Sequence, residues 1–315
     1  MAKTSRYSVG RGTIHTIHTQ FNTGYTVTKK TLGLILLTCA TAAAFQDQRT
    51  QQVWSGRLSD SMCGASHQMR AAGKMSEREC LFECIKALAK YVLVDDKEQI
   101  IPIANQDLGG FPLYAGRPVR ITGEMKNRAI LAAKVEAIPA HLHLGHVMTN
   151  WRDTPSNVGF LIVAVADGKV AAIHADLAVK SSNNLDEMKL HAVHVLNALD
   201  SGIEQKGPGS GYGVKKAATG ALQHLEFAVN AEGASANIKM LAMKVSALLN
   251  DVLQWTDRAI TIAQKIRTAA SAPEAATMAN ELATLTKQIS EGGLQQAKTN
   301  MDLIMKREGL ENAPR

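Results

Sequence analysis

The sequence predicts an α+β protein: a small five-stranded β barrel or curled sheet with one helix, then an all-α, up-and-down bundle of four to five helices. Short apolar or alternating stretches bounded by turn residues fill residues 52–139, as in a small β domain. Longer segments with helical periodicity fill residues 157–310. Only 4% of the 315 residues are aromatic, so the core has to be built mainly from Ala, Leu, Val, Ile and Met, which suits helices.

Within residues 52–139, five short strands and one helix are expected. Ser76 and Glu79 have the spacing of a capping box, which predicts a helix that begins there and continues to about Lys90. The predicted strands cover residues 53–58, 91–94, 99–103, 117–123 and 129–138. Strands of this length and number are typical of an OB-like barrel or a curled sheet.

Pro139 closes the β domain, and residues 140–156 are expected to be a linker. The predicted helices of the bundle cover residues 157–180, 184–200, 212–231, 235–270 and 273–308, the last with a bend at Gly292-Gly293. Candidate N-caps precede three of them: Asn183 or Asn184, Ser235 and Ser271. The connections are short, which predicts antiparallel neighbours. The glycine-rich residues 207–213 are expected to form a flexible loop between helices.

Residues 1–44 have the pattern of a cleavable signal peptide. Lys29-Lys30 precedes an apolar run and an Ala-x-Ala site that ends at Ala42 or Ala44. The run is too short to span a bilayer, which takes about 20 residues. The sequence therefore predicts a periplasmic or secreted protein that is not an integral membrane protein after cleavage.

The charge of the chain is concentrated in this leader. The whole chain has 35 basic and 28 acidic residues, but residues 1–44 hold five basic residues and no acidic one. The rest is nearly neutral and contains no long basic run. Nucleic-acid binding requires a basic patch, so this class of function is excluded.

A cysteine and histidine cluster is the first candidate site. Cys63 and His67 are spaced as C-x3-H, and Cys80 and Cys84 lie one turn apart on the predicted helix. The set could bind zinc or copper, and the neighbouring Met62 and Met69 favour copper. In an oxidising compartment, Cys63 could instead form a disulfide with Cys80 or Cys84 and leave one thiol free. Both interpretations stay open.

Histidines of the bundle form the second candidate site. His191 and His194 share one face of a helix, and His174 and His224 lie on neighbouring helices. Helical bundles hold metals and haem with inward side chains of this kind, so we expect these four imidazoles to converge in the interior. The chain has no Cys-x-x-Cys-His and no Glu-x-x-His, which excludes c-type haem and argues against a di-iron carboxylate site.

Two regions resemble uncharacterised families of exported bacterial proteins. Residues 54–138, with Asp60-Ser-Met-Cys-Gly, His67 and Cys80-x3-Cys84, resemble a small cysteine-containing domain of unknown function. Residues 142–310, with the segments 191–200, 207–215 and 291–297, resemble a family of histidine-bearing helical proteins. The resemblance implies export and a domain division, but no activity.

The sequence thus favours an exported protein that binds copper, zinc or non-covalent haem through His174, His191, His194 and His224, with the Cys63, His67, Cys80 and Cys84 cluster as a second site. The alternative is a structural or interaction module with a disulfide-stapled β domain that contacts another envelope protein. A third hypothesis, a redox enzyme, requires a reactive cysteine of low pKa. The patterns leave open whether a reaction is catalysed.

Overall fold

The computed structural model describes residues 51–66 and 75–310. The predicted signal peptide, residues 1–44, and His67 both lie outside these ranges. The described residues belong to one compact unit. Within the described ranges, every helix is too short or too polar to cross a membrane.

One open, antiparallel sheet forms the first part of the described chain. Its strand order is β3-β2-β1-β4-β5, so the first strand lies at the centre. The strands are β1 (Gln52–Asp60), β2 (Tyr91–Val94), β3 (Ile100–Pro102), β4 (Pro118–Lys126) and β5 (Ala129–Ala137). Two helices accompany them, α1 (Glu77–Lys86) and the unpredicted single turn α2 (Phe111–Tyr114). The five predicted strands and the capping box of Ser76 and Glu79 are confirmed.

Of the two predicted forms, a barrel or a curled sheet, the barrel is wrong, because the sheet remains open. The two edges approach each other at one bridge, between Ile103 and Ile130. β3 has three residues and ends at Pro102, which has no N–H group to donate to a second ladder. An edge strand this short cannot pair along the nine residues of β5.

The predicted helical bundle is confirmed. Its helices are α4 (Phe160–Lys180), α5 (Leu185–Leu199), α6 (Val214–Asn230), α7 (Ala236–Thr268), α8 (Ala272–Lys287) and α9 (Gln296–Arg307). A π-helical segment, Gln288–Gln295, joins α8 to α9 and contains Gly292-Gly293, where the sequence predicts a bend. Asn184 and Ser235 cap α5 and α7 with their side chains. Ser271 precedes α8 but makes no capping hydrogen bond.

The segment expected to be a linker instead contains a helix, α3 (Pro139–Met148). Proline at the first position of a helix loses no hydrogen bond, because the first N–H groups have no partner in the helix. Ala140, Leu144 and Val147 follow at helical spacing and are fully buried in the core of the bundle. Pro139 therefore begins an element of the bundle as well as following the last strand.

The loop before α6 is fixed by a buried carboxylate of α4. Asp167 accepts hydrogen bonds from the backbone N–H groups of Ser210 and Gly213 and from the Ser210 hydroxyl. Asn197 of α5 accepts another from the N–H of Gly209. Residues 207–213 do connect two helices, as predicted, and these contacts set the start of α6 against α4 and α5.

Buried polar contacts also join the C-terminal helix to α3 and α7. Glu308, just after α9, lies against His141, with 3.1 Å between carboxylate oxygen and ring nitrogen, and accepts a hydrogen bond from the Ser235 hydroxyl. Burial alone would raise the pKa of Glu308, but the hydrogen bonds from His141 and Ser235 together lower it. His141 is therefore engaged in packing α3 and is turned away from the other histidines of that helix.

Candidate metal centres

The first histidine cluster joins α4 to α5 and is called here the α4–α5 triad. It consists of His174, His191 and His194. His191 and His194 lie one turn apart on α5, so their rings point to the same side. The Nδ1 atom of His174 is 3.2 Å from Nδ1 of His191 and 3.3 Å from Nδ1 of His194. All three residues are half-buried.

The second cluster, the α3–α6 triad, repeats this arrangement with other helices. His143 and His146 lie one turn apart on α3, and His224 of α6 faces both. Nδ1 of His224 is 3.2 Å from Nδ1 of each partner. His224 is only 7% exposed. Each triad thus combines a His-x-x-His pair on one helix with a single histidine on a neighbouring helix.

Hydrogen bonding among the imidazoles cannot account for either triad. A ring nitrogen carries one hydrogen or one in-plane lone pair, so it forms one good hydrogen bond. Nδ1 of His224 and Nδ1 of His174 each face two other Nδ1 atoms within 3.3 Å. One of the two contacts in each triad therefore lacks a well-directed hydrogen bond.

A shared metal ion does account for the distances. Zinc–nitrogen bonds of about 2.0–2.1 Å at tetrahedral angles place neighbouring ligand nitrogens about 3.3–3.4 Å apart. The observed Nδ1–Nδ1 separations of 3.2 and 3.3 Å match this nitrogen–nitrogen distance. Because the three ring nitrogens of each triad all lie within 4.8 Å of one another, they can bind one ion and leave its fourth position open.

Five of the six triad histidines have a pKa lowered from the ordinary value of histidine. Burial lowers the pKa of His143, His146, His174 and His191, and in all but His143 a neighbouring imidazole adds to the effect. Burial, followed by the proximity of His146 and His143, lowers the pKa of His224 to about 4. Metal ions bind the neutral form of histidine, so protons compete weakly for these nitrogens near pH 7.

Aromatic rings surround the α3–α6 triad. The Trp151 ring lies 4.7 Å from His146 and 4.8 Å from His224, centroid to centroid. Phe160 stacks on His224 at 5.3 Å, and Phe227 lies 5.3 Å from His143. Among the described residues, the ring contacts of the α4–α5 triad are only those between its own histidines. The two triads therefore share ligand geometry and differ in their shielding from water.

A cluster of three thiols lies where α1 approaches the end of β1. Sγ of Cys63 is 3.5 Å from Sγ of Cys84 and 3.9 Å from Sγ of Cys80. These separations far exceed the S–S bond of about 2.05 Å, and all three cysteines are free. The expected disulfide from Cys63 to Cys80 or Cys84 is therefore not formed. The sulfurs meet around a point, which the metal interpretation requires.

The thiols on α1 are not activated nucleophiles. Burial raises the pKa of Cys80, and it raises the pKa of Cys84 to about 12 with further contributions from Cys63 and Asp60. Reactive cysteines have lowered pKa values because a nearby cation or helix N-terminus stabilises the thiolate. The environment of Cys80 and Cys84 acts in the opposite direction, which argues against the redox-enzyme hypothesis for these two residues.

The structure divides the histidines that the sequence predicts as one site. His174, His191 and His194 do converge, but His224 belongs to the other triad. The expectation of one interior site is therefore wrong. His224 lies on α6, and the helix that brings a His-x-x-His pair to it is α3.

His143 and His146 are the site residues that sequence reasoning missed. The signal was present, since their His-x-x-His spacing repeats that of His191 and His194. A second signal is shared by their partners: His174 and His224 are each followed by an acidic residue two positions later and Ala four positions later. Assigning residues 140–156 to a linker concealed the first signal.

Searches of protein-family models, curated proteins and solved structures give no match to this chain. What this chain binds is therefore inferred from the geometry of the three clusters.

Acidification is expected to destabilise the metal-free protein. The folded pKa values of five triad histidines lie below the unfolded value of about 6.5. Below that pH the unfolded chain binds protons that the folded chain does not, so the free energy of unfolding falls towards pH 4. His224 alone accounts for on the order of 3 kcal/mol of this loss. Urea unfolding in chelator, at about pH 7, 6 and 5, measures it.

The matched variant for this experiment is His224→Gln, which retains a polar side chain but does not titrate. Its stability should vary less with pH than that of the wild type over the same range. Equal pH slopes for the two proteins would show that His224 is not held in its neutral form by the fold.

Proposed function

We propose that this protein binds transition-metal ions, one at each histidine triad. The observation that carries the proposal is a single Nδ1 atom that lies 3.2–3.3 Å from the Nδ1 atoms of a His-x-x-His pair on a neighbouring helix, twice in the same chain. Imidazole nitrogens are borderline ligands that suit zinc, copper and nickel in their divalent states.

The geometry favours a bare ion over haem. The porphyrin occupies four positions around the iron and leaves two opposite axial sites, so two axial nitrogens would lie about 4 Å apart with the iron between them. The Nδ1 atom of His174 is 3.2 Å from that of His191 and 3.3 Å from that of His194, which is too close for nitrogens on opposite sides of an iron. Of the expected cofactors, copper and zinc fit this geometry and haem does not.

An open coordination position favours exchange over permanent storage. Structural zinc sites use four protein ligands, whereas three protein ligands leave a position for water or an incoming group. The α4–α5 triad is half-exposed on all three residues, so an acceptor protein or small ligand can approach it. We propose that the chain holds metal reversibly and releases it to a partner in the cell envelope.

The leader sequence supports the location of this activity. A basic stretch, an apolar run and an Ala-x-Ala site in residues 29–44 favour export to the periplasm or beyond. Metal ions there are not buffered by the cytosolic thiol pool, which suits a protein whose main ligands are imidazoles.

The proposal is tested by adding Co²⁺ and Zn²⁺ to the mature chain, purified without a His tag and stripped with chelator. We expect two tightly bound ions at nitrogen-only sites, seen as cobalt d–d absorption without sulfur charge transfer when the thiols are alkylated. The double variant His191→Gln, His224→Gln is the control and should lose both ions. Alkylated wild-type protein that binds no stoichiometric metal would refute the proposal.

A further inference from the structure

We propose that Cys63, Cys80 and Cys84 form a separate thiolate site for a thiophilic d¹⁰ ion, Cu(I) or Zn(II). This site does not depend on the histidine function, since it lies on the sheet and α1 and uses different ligand chemistry. The three Sγ atoms all lie within 4.8 Å of one another. Cys80 and Cys84 are buried, and Cys63 is half-buried.

The sulfur separations fit metal ligation. Zinc–sulfur bonds of about 2.3 Å at tetrahedral angles place the sulfurs about 3.8 Å apart, and trigonal coordination gives a similar distance. The separations from Cys63, 3.5 and 3.9 Å, bracket that value. A disulfide would use only two of the three sulfurs and leave the third buried beside it.

The local structure orients the ligands before an ion binds. Cys80 and Cys84 point to one side of α1 because they are one turn apart. The buried Asp60 accepts hydrogen bonds from the backbone N–H groups of Met62 and Cys63. Gly64 closes the same turn with a φ of +58°, a conformation that glycine adopts without strain. The turn holds the Cys63 sulfur over the helix.

Burial of the cysteine cluster also favours binding of a cation. Two of the three thiols are buried, and metal ions bind cysteine as the thiolate. Buried thiolates are unfavourable unless a positive ion neutralises their charge. A soft ion bound to three thiolates satisfies this requirement, and soft ligands select Cu(I) or Zn(II).

The test uses the full mature chain, fully reduced, with Co²⁺ as a spectroscopic probe for Zn(II). We expect sulfur-to-cobalt charge-transfer absorption at one ion per chain, displaced by Zn²⁺ and by Cu(I). Cys84→Ser should weaken binding at this site by about 100-fold or more, since even outer-shell changes cost 10–100-fold. His174→Gln is the matched control and should keep the charge-transfer band, because it affects only the α4–α5 triad.

A second readout does not depend on the folding of a cysteine variant. In the wild type, bound Zn²⁺ should slow alkylation of all three thiols together, as followed by mass spectrometry of the modified peptides. Absence of the charge-transfer band in protein with three reduced thiols would overturn the proposal, as would alkylation at the same rate with and without the ion. A charge-transfer band at one ion per chain, without two further nitrogen-bound ions, would instead count against the histidine sites.

Discussion

His224→Gln is expected to remove one of the two histidine-bound ions and leave the other unchanged. Nδ1 of His224 is the common neighbour of the two nitrogens on α3, so only the pair of His143 and His146 remains after substitution. Two ligands one turn apart bind far more weakly than three, and we expect an affinity loss of at least 100-fold. Metal content per chain after dialysis should fall from two ions to one in the alkylated protein.

Substitution of the single histidine of the other triad should also leave one bound ion per chain. His174→Gln should empty the α4–α5 triad and leave the α3–α6 triad filled, since the two clusters share no ligand. His141→Gln is the control, because His141 lies on α3 but contacts Glu308, and it should leave both ions bound. Loss of both ions in His224→Gln, or of neither, would contradict two separate sites.

Gly159→Ala is expected to destabilise the fold strongly and to weaken the α3–α6 triad. A Cβ at this position would lie 2.5 Å from the carbonyl oxygen of Val147 and 2.7 Å from Cα of Met148. These are backbone atoms of α3, which can avoid the contact only if the helix shifts. Overpacking of this kind lowers the free energy of unfolding by about 1–3 kcal/mol, and we expect a loss of about 3 kcal/mol here. Urea unfolding measures the loss.

Gly145→Ala provides a control on the same helix. A Cβ there meets no atom within 4 Å, and alanine favours a helix over glycine, so we expect this change to stabilise the protein by about 0.5–1 kcal/mol. In Gly159→Ala, displacement of α3 moves His143 and His146 away from His224, so cobalt affinity should fall at that triad and persist at the α4–α5 triad. Equal unfolding midpoints for the two alanine variants would refute the packing argument.

The two triads suggest one coordination design used in two environments. In each, a pair of histidines one turn apart meets a single histidine from a neighbouring helix, and all the contacts use Nδ1. The rings of Trp151, Phe160 and Phe227 enclose the α3–α6 triad. Exclusion of water strengthens electrostatic interactions with a bound ion and restricts the approach of competing ligands. The more exposed α4–α5 triad is therefore the better candidate for exchange with a partner.

Local sequence determined the helices of the bundle, the capping of α5 and α7, and the thiol pair on α1. In each case the physical information is contained within one or two turns: apolar periodicity, a capping side chain, or a spacing that places two residues on one face. The His191 and His194 pair could be recognised for the same reason. Pro139 was ambiguous, because proline can follow a strand or begin a helix.

Only the tertiary structure decided which histidines meet and whether the sheet closes. The spacing along a helix fixes the side to which a ring points, but the partner helix is chosen by packing of buried apolar faces. Leu144 and Val147 of α3 join the same core as Ala221 and Leu225 of α6, and this brings His143 and His146 to His224. Sheet closure likewise depends on whether distant edge strands are long enough to pair, which no local pattern specifies.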